Sequence, residues 1–592
     1  MPLWRSQISQ RSDPCKNFSK PPILSLEPED SVCSCGSSLL VQKSKRRKVS
    51  TLHIGQFLAQ ETVLYCPHCK ENFLCKELNT FVAPGCNFGY DVIEFIGTAI
   101  WCKSKTIEEV RDELKHKNIT ISEREIAYLA KKFVLYVVRA HEDQQEAICD
   151  FLQDRGGYFL HFDSTHPGQG ASHLMCAVAE EVSEKSHIVL GSARLVSECK
   201  ETVVAFLKIL KEKYGNPLAG ISDMLASNLS AFREVFPGIL LLICHFHFLR
   251  DLGKDLLSYD NTRLQDILSA YNIDKRLKQF VKDCEEHIAQ DPSLKEYLGW
   301  EEADYAAFFC QLPDRVAAYF MSLWILNYKQ DLHGYGFPFD KATFSYLQRI
   351  KKVHEWISKD KKRGELEELY FMLEALLGDS SFNKHMHAME NKVKDFERIR
   401  SIMKIAPFFK ARGLNEAGED CDMTLMEAEL KEFIESAEIK NSRDIGRQKM
   451  VKQILKYWDN LFAKSFQVET SAKGKILVYP QRTNNLMECF FRDFLHTEQK
   501  RTGMDTLSRR TQSMIAETPM VKNLSNKDLL KVLLKGEESL AARFAQLDAQ
   551  SHQRVKCTPE QQKLPSNLRK FIESPFFCRA FKEAHSEFKK AI

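Results

Sequence analysis

Two aspartates of this 592-residue chain stand at the ends of apolar segments, where carboxylates can bind a metal ion. Asp163 follows the segment YFLHF, and Asp223 follows LAGIS. An isolated Asp after a strand is usually a turn residue or a helix cap. Two carboxylates that converge from neighbouring parallel strands repel each other unless a cation lies between them, and their hard oxygen atoms select Mg²⁺ or Mn²⁺. The pair therefore predicts metal-dependent phosphoryl transfer.

Three further residues could belong to the same site. Glu488 lies among Phe and Leu residues in NNLMECFFRDFL, where its charge needs a partner. That partner is either a metal ion or Arg492, four residues further along the predicted helix. Cys244 and His247 form a Cys-x-x-His pair after the apolar strand ILLLIC. The pair is either half of a zinc site, although no second pair follows nearby, or a packed thiol with a surface imidazole. We expect His245 to be the more exposed of the two histidines.

The residues around the two aspartates predict the elements that must position them. Hydrophobic periodicity predicts strands over 158–162, 173–181, 187–194, 218–222 and 239–244, and helices over 198–214 and 226–236. The order β-β-β-α-β-α-β is typical of a ribonuclease-H-like fold, in which helices cover both faces of a mixed sheet. Sites in such sheets form beyond the carboxyl ends of adjacent strands, which is where both aspartates fall.

The chain between the second Asp and the Glu is longer than a continuous fold of this class needs. We predict a first core part over 155–257, an all-helical insertion over 258–475, and a return to the core over 476–510. Trp324 in the insertion could stack on an unpaired base, although its spacing suits packing in a helical core.

The Glu-containing helix has a recognisable start. Thr483-Asn484-Asn485 would cap a helix from Leu486 to about His496. Residues 511–592 are predicted to be helical, with mixed charge.

Four cysteines in residues 31–80 predict a zinc ribbon. Cys66 and Cys69 have the two-residue spacing at which two thiolates chelate one tetrahedral zinc ion. Cys33 and Cys35 have one residue between them, so another residue could replace one of these ligands. The candidates for that ligand are Cys15, His68 and Cys75. The alternative is a set of thiols without metal.

Residues 88–145 predict a helical bundle that resembles a helix-turn-helix. Thr106 and Ser122 stand where N-caps are expected, each followed by acidic residues in the first helical turn. Such a motif can place one helix in the major groove of DNA, whereas the alternative is a plain three-helix spacer. The basic runs Lys43–Lys48 and Lys500–Arg501 could contact phosphates or could be solvated surface.

The bulk composition narrows the class of protein. Lys and Arg total 84 against 80 Asp and Glu, so a formal net charge of +4 indicates no particular partner. Residues 1–30 are predicted to be a flexible tail without the apolar core of a secretory signal, and no apolar stretch approaches the roughly 20 residues that span a bilayer. The 18 cysteines are mostly scattered, which favours reduced thiols in an intracellular protein.

The ordered set of Asp163, Asp223, Cys244-x-x-His247 and Glu488 resembles the catalytic set of DDE-type transposases of the Mutator-like and bacterial insertion-sequence class. The segment NNLMECFFRDFLHTEQKRTG is similar to the family's Glu-containing segment. The resemblance also covers the ribbon, the helical bundle and the split core. It implies that Glu488 is the third metal ligand, that His247 lies near the scissile phosphate, and that Cys244 is structural.

The resemblance further implies a function. The protein would bind the terminal repeats of its element through residues 30–150 and would use Mg²⁺ or Mn²⁺ to cleave double-stranded DNA and join it to a target. It would act as a homodimer or a higher homo-oligomer. It would work in the bacterial cytoplasm or nucleoid, or in a eukaryotic nucleus with Lys43–Lys48 as the nuclear signal. The alternatives are a domesticated DNA-binding protein without catalytic activity and a ribonuclease-H-like nuclease outside transposition.

Overall fold

The structure, a computed structural model, combines helices with several sheets. It describes residues 21–53, 55–75, 77–165, 173–299, 312–359, 364–405, 423–503, 514–550 and 579. Predictions on residues 1–20, and on nearly all of 551–592, lie outside these ranges. Among the helices of the described ranges, none has the length and apolar composition to cross a bilayer.

The chain divides into two compact units. Unit 1 comprises Met1–Gly156, Asp163–Gly215 and Phe490–Ile592. Unit 2 comprises Gly157–Phe162 and Asn216–Cys489.

Unit 1 begins with a small sheet around a long hairpin. Its strands are β1 (Ile23–Leu26), β2 (Leu40–Thr51), β3 (Gly55–Tyr65) and β4 (Asn72–Phe73). They are ordered β1-β3-β2, and β4 pairs with the end of β3. β2 and β3 are antiparallel, with a bulge between Val41 and Lys43. Val49, Phe57 and Ala59 are buried beneath the sheet, so alternate residues of both strands face a small core.

The helical part of unit 1 follows the caps that the sequence predicts. Its first helices are α1 (Tyr90–Gly97), α2 (Ile107–His116), α3 (Glu123–Asp143) and α4 (Gln145–Asp154). The Thr106 side chain accepts a hydrogen bond from the Glu109 backbone at 3.2 Å, and Glu109 accepts one from the Thr106 backbone at 2.7 Å. Ser122 accepts from the Glu125 backbone at 3.2 Å. Both predicted N-caps are confirmed.

Further elements complete unit 1. They are β6 (His173–Glu181), β7 (His187–Leu195), α5 (Lys200–Tyr214), a 3₁₀ turn (Thr518–Ser525), α19 (Lys527–Leu534) and α20 (Leu540–Gln550). β6 and β7 form an antiparallel pair. α20 packs on the helical bundle, where the Phe544 ring stacks 4.6 Å from that of Tyr136. Asp548 accepts hydrogen bonds from the hydroxyls of Tyr90 and Tyr136, which holds α20 to α1 and α3.

The strand β5 (Tyr158–Thr165), of which residues 158–162 belong to unit 2, is parallel to β8 (Ala219–Ser222), and β8 is parallel to β9 (Leu240–Ile243). The sheet that contains them has the strand order β7-β6-β5-β8-β9. β8 is covered closely by α6 (Ala226–Val235). A Cβ atom at Gly220 would lie 2.4 Å from the ring of Phe232, so only glycine permits this approach.

Helices fill most of the rest of unit 2. They are α7 (His245–Ala270), α8 (Ile273–Gln290), α9 (Pro292–Lys295), α10 (Asp314–Leu326), α11 (Ala342–Ser358), α12 (Gly364–Leu377), α13 (Ser380–Ile402), α14 (Met423–Glu435), α15 (Ala437–Lys440), α16 (Ile445–Lys456) and α17 (Trp458–Leu461). A hairpin of β10 (Phe466–Thr470) and β11 (Gly474–Val478) then leads to α18 (Asn485–Thr502).

Charged and aromatic contacts hold the helical segment together. Buried Asp260 on α7 accepts from Lys392 on α13 at 2.8 Å, and Lys392 also reaches Asp444 at 2.8 Å. The Trp324 ring lies 5.3 Å from that of Trp356. Trp324 is half-buried and contacts Trp356 and Arg349, so it packs against a neighbouring helix without belonging to the buried core.

Candidate active site

Unit 2 brings three of the predicted site residues together. The Nδ1 atom of His247 lies 2.9 Å from Oδ1 of Asp223, and its Nε2 atom lies 3.3 Å from Oε1 of Glu488. One imidazole therefore stands between two carboxylates that are far apart in sequence. The thiol of Cys244 is close by, since the ligand atoms of Asp223, Cys244 and His247 all lie within 4.8 Å of one another.

The ends of two parallel strands position this group. Asp223 is the first residue after β8, and Cys244 is the first residue after β9 and the N-cap of α7. The Cys244 backbone donates to the Ser222 carbonyl at 3.0 Å, which fixes the end of β9 beside the end of β8. His247 projects from the first turn of α7. Glu488 lies in the first turn of α18, where the helix dipole stabilises a negative charge.

Electrostatics in the site favour a charged imidazole. Burial acts to lower the pKa of His247, but its contacts with Asp223 and Cys244 outweigh burial and raise that pKa to about 10. The imidazolium then supplies the positive charge that two facing carboxylates need. His247 Nδ1 is buried and lacks a well-directed hydrogen bond despite its close contact with Asp223. The side chain of Glu488 is 41% exposed, so solvent reaches the site on that side.

Two residues that the sequence did not assign to the site support Asp223. Asn484 is completely buried, and its amide nitrogen donates to Asp223 Oδ1 at 3.5 Å. The Asn484 amide oxygen lies 3.4 Å from Nδ1 of His161, which is also completely buried. The sequence predicts Asn484 as part of a helix cap and His161 as a strand residue. The tandem Asn residues before Glu488 were the available signal for the first, whereas a lone His in an apolar strand gave none for the second.

The structure places Asp163 within a strand rather than after it. β5 continues to Thr165, and Asp163 Oδ1 accepts a hydrogen bond from the Ser164 backbone at 2.8 Å. Asp163 falls in unit 1, two residues beyond His161 on the same strand. Because side chains alternate along a strand, those of Asp163 and His161 leave β5 on the same side.

The expectation that His245 is exposed was wrong. Its side chain is completely buried, and its Nε2 atom lies 2.6 Å from the Leu461 carbonyl. Burial, together with the nearby positive charge of Arg482, lowers the pKa of His245 to about 3. Residues two apart on a helix point to nearly opposite sides, so burial of His245 directs His247 away from the core and into the site.

Two other expectations about charged residues change with the structure. The side chain that meets Glu488 is His247, while the exposed Arg492 pairs with Asp493 at 3.7 Å. Arg501 is buried, where it pairs with Glu498 and lies 5.0 Å from the Trp101 ring. Arg501 is therefore not the exposed phosphate contact that its basic run suggested.

The donor atoms of this site suit a metal ion, and two sets overlap. The carboxylates of Asp223 and Glu488 are hard ligands that suit Mg²⁺ or Mn²⁺. The set of Asp223, Cys244 and His247 includes a thiol and an imidazole, which suit Zn²⁺ better. The Nδ1 atom of His247 is buried and has no well-directed hydrogen bond. This is consistent with a contact between Nδ1 and a bound group in the functional protein.

The four predicted zinc ligands form a second cluster, in unit 1. The sulfur atoms of Cys33 and Cys69 lie 3.9 Å apart, and those of Cys35 and Cys66 lie 3.6 Å apart. All four lie within 4.8 Å of one another, as tetrahedral thiolate coordination of one zinc ion requires. Hydrogen bonding by Ser37 lowers the pKa of Cys35 to about 5, whereas hydrogen bonding with Cys35 raises the pKa of Cys69 to about 12, so Cys35 is the thiol that loses its proton first.

The other candidate zinc ligands are less suitable. Cys75 is buried in the apolar core below the ribbon, beside Val49 and Phe57. Nδ1 of His68 lies 4.0 Å from the Cys69 sulfur on an exposed turn. Cys15 lies outside the described residues. The Cys33, Cys35, Cys66 and Cys69 group is thus compatible with a structural zinc ion.

Comparison with known proteins adds a distant structural similarity. No family model matches the sequence, and no curated protein matches it. Among 16 matching chains of solved structures is one from the Drosophila P element transposase strand transfer complex. That match has a TM-score of 0.29 and 10% sequence identity, and it covers 75% of this chain and 92% of the other.

Proposed function

We propose that this protein is a metal-dependent DNA transposase of the DDE type. The observation that carries the proposal is the meeting of Asp223, His247 and Glu488, which come from three separate segments, at the carboxyl ends of parallel strands. A site of two acids and a charged imidazole, open on one side, suits chemistry on a phosphate of a large polyanion. The strand order β7-β6-β5-β8-β9 supports a ribonuclease-H-like core.

We assign Asp163, Asp223 and Glu488 as the ligands of Mg²⁺ or Mn²⁺. The chemistry that such ions supply at carboxylates is activation of a water or 3′-hydroxyl nucleophile and neutralisation of charge on the phosphate. No covalent link between protein and DNA is needed for these displacements.

The neighbouring side chains have separate roles in this proposal. Protonated His247, held between Asp223 and Glu488, places a positive charge beside the phosphate and so stabilises the negative charge that develops there. Asn484 holds the Asp223 carboxylate in one orientation, and His161 holds the Asn484 amide. Cys244 fixes the turn between β9 and α7. The cysteine cluster holds a structural zinc ion, and residues 30–150 bind DNA.

The proposal is tested by a cleavage assay on DNA that carries this gene with its own flanks, in Mg²⁺ or Mn²⁺, with the cut ends mapped by sequencing. We expect paired cuts at inverted repeats, followed by strand joining, and their loss in Asp223→Asn. Asp251→Asn is the matched control, because Asp251 is half-exposed on α7 and pairs with Lys254.

The outcomes separate the alternatives. DNA binding without any cut would support a DNA-binding protein without catalytic activity. Hydrolysis without joining would support a nuclease. Activity that requires Zn²⁺ rather than Mg²⁺, and that is lost in Cys244→Ser, would favour the overlapping set of Asp223, Cys244 and His247 as the ligands.

A further inference from the structure

The two faces of the β2–β3 hairpin differ in whether an acidic side chain lies opposite their basic side chains. Because side chains alternate, Lys45 and Arg47 lie on one face of β2, and Arg46 and Lys48 lie on the other. Arg47 lies 3.3 Å from Glu61, and Lys45 is directly opposite Glu61 in the register.

On the other face no acid of the two strands is available, since Glu61 is their single acidic residue. The cross-strand neighbours of Arg46 and Lys48 are Gln60 and Leu58. Both basic residues are exposed, and Arg46 donates to Gln60 at 2.8 Å. Within the two strands, no acidic residue therefore offsets the positive charge of this face.

The same face contacts the turn between α2 and α3. Gln56 is on this face of β3, and its side chain donates to the Thr120 carbonyl at 3.4 Å. Thr120 stands two residues before the Ser122 cap of α3. The basic face of the hairpin thus meets the chain where α3 begins.

α3 continues the positive surface. Arg124, Tyr128 and Lys131 are exposed and are spaced four and three residues apart, which places them in one row along the helix. Ile126, Leu129 and Phe133 are buried. Within the described ranges, no acidic side chain pairs with Arg124 or Lys131. Arg124 and Lys131 are therefore available to an external partner.

We propose that Arg46 and Lys48 on β2, together with Arg124 and Lys131 on α3, form one surface that binds duplex DNA, with α3 in the major groove and the hairpin on the flanking phosphates. This inference rests on the proposed function and names the surface that holds its substrate. The major groove admits an α-helix, and the phosphate rows beside the groove can meet a hairpin next to that helix.

Charge placement favours DNA over an acidic peptide. A peptide that extends the sheet would lie along the open edge of β2, whereas these charges project from the sheet face and from a helix. The two cations of α3 lie on either side of Tyr128, which is 40% exposed, so neither is enclosed by the helical core.

The test measures binding of the full-length, zinc-loaded protein to a labelled duplex of arbitrary sequence, about 30 base pairs long, without Mg²⁺ or Mn²⁺, over a range of salt concentrations. The test variants are the doubles Arg46→Gln/Lys48→Gln and Arg124→Gln/Lys131→Gln. The control is Lys43→Gln/Lys45→Gln, which removes the same charge from the same strand but from its other face.

We expect each test double to weaken binding roughly tenfold and to reduce the slope of log K against log salt by about 2, because two phosphate contacts are lost. The control should change binding less than about twofold. Equal losses in the control and test doubles would overturn the inference, since net charge alone would then explain binding. Unchanged binding in both test doubles would overturn it as well.

A labelled poly-glutamate peptide distinguishes the other partner class. If the test doubles lose peptide binding while DNA binding persists, the surface is for an acidic protein and the inference fails. Failure of the proposed function is seen separately, because it appears in the cleavage assay with Asp223→Asn, whereas this test involves no cleavage.

Discussion

The cysteine cluster of unit 1 and the acid–histidine site of unit 2 are built in opposite ways. Cys33 and Cys69 are 36 residues apart and lie on turns at one end of a single hairpin. Asp223 and Asn484 are 261 residues apart and meet only after a sheet and a long helical segment have folded. A local site needs only its own turns, whereas an assembled site depends on every element that brings its parts together. The two sites should therefore respond differently to substitution.

The largest effect should come from the local site. We expect Cys66→Ser to abolish zinc binding, because the three remaining thiolates cannot complete four-fold coordination. The binding free energy of a structural zinc ion is on the order of 10 kcal/mol, and the variant would lose it. Elemental analysis of the purified protein should show zinc falling from about one equivalent to near none. The exposed thiol variant Cys102→Ser is the control and should retain zinc. Retention of zinc by Cys66→Ser would mean that the cluster is not the metal site.

The assembled site should lose activity without losing its fold. We expect Glu488→Gln to lower DNA cleavage by roughly a hundredfold or more, since removing one charge from a metal-binding set costs several kcal/mol in the transition state. Asp493→Asn, an exposed acid on the same helix, should cleave like the wild type. Cleavage rates and DNA binding would be measured for both. Equal activity in both variants would remove Glu488 from the site.

The support of Asp223 should be visible in stability as well as in activity. Asn484→Ala removes a buried amide that contacts both His161 and Asp223, which should lower the free energy of unfolding by about 1–3 kcal/mol. Cleavage should fall less than in Glu488→Gln, because Asn484 orients a ligand. Denaturant unfolding and cleavage rates measure the two effects. If Asn485→Ala, the neighbouring control, is equally damaging, then Asn484 has no special positioning role.

The smallest effect concerns two buried histidines, one in each unit. Burial lowers the pKa of His141 to about 4 and that of His245 to about 3. In the unfolded chain each histidine binds a proton near pH 6.5, whereas in the folded chain it does so only near its lowered pKa. Folding stability is therefore complete above pH 6.5 and is lost as the pH falls toward the lowered pKa values. Between pH 7.5 and 5.5, each histidine should lower the free energy of unfolding by about 1 kcal/mol.

Substitution separates the two contributions. His141→Gln and His245→Gln should each reduce the pH-dependent loss of unfolding free energy by about 1 kcal/mol, measured by denaturant unfolding at both pH values. The exposed His287→Gln variant is the control and should keep the wild-type difference. If both test variants lose as much unfolding free energy between pH 7.5 and 5.5 as the wild type does, other groups control acid unfolding.

Much of the local structure could be predicted from the residues. Thr106 and Ser122 cap their helices because a short polar side chain before acidic residues satisfies the free backbone donors, which is a local rule. The strand 173–181 was predicted with its observed bounds, since its hydrophobic run is bounded by polar turns. The extension of β5 past Asp163 and of α18 to Thr502 was not predicted, because element ends depend on what packs against them.

Residue types and spacing define which chemistry is available: four cysteines on turns that flank a hairpin, and acids with a histidine beside apolar strands. How those groups meet depends on the tertiary fold. It buried His245 and turned His247 between Asp223 and Glu488, and it supplied Asn484 as a support. The physical reason is that capping and turn chemistry act between near neighbours in the chain, whereas burial and charge pairing depend on neighbours in space.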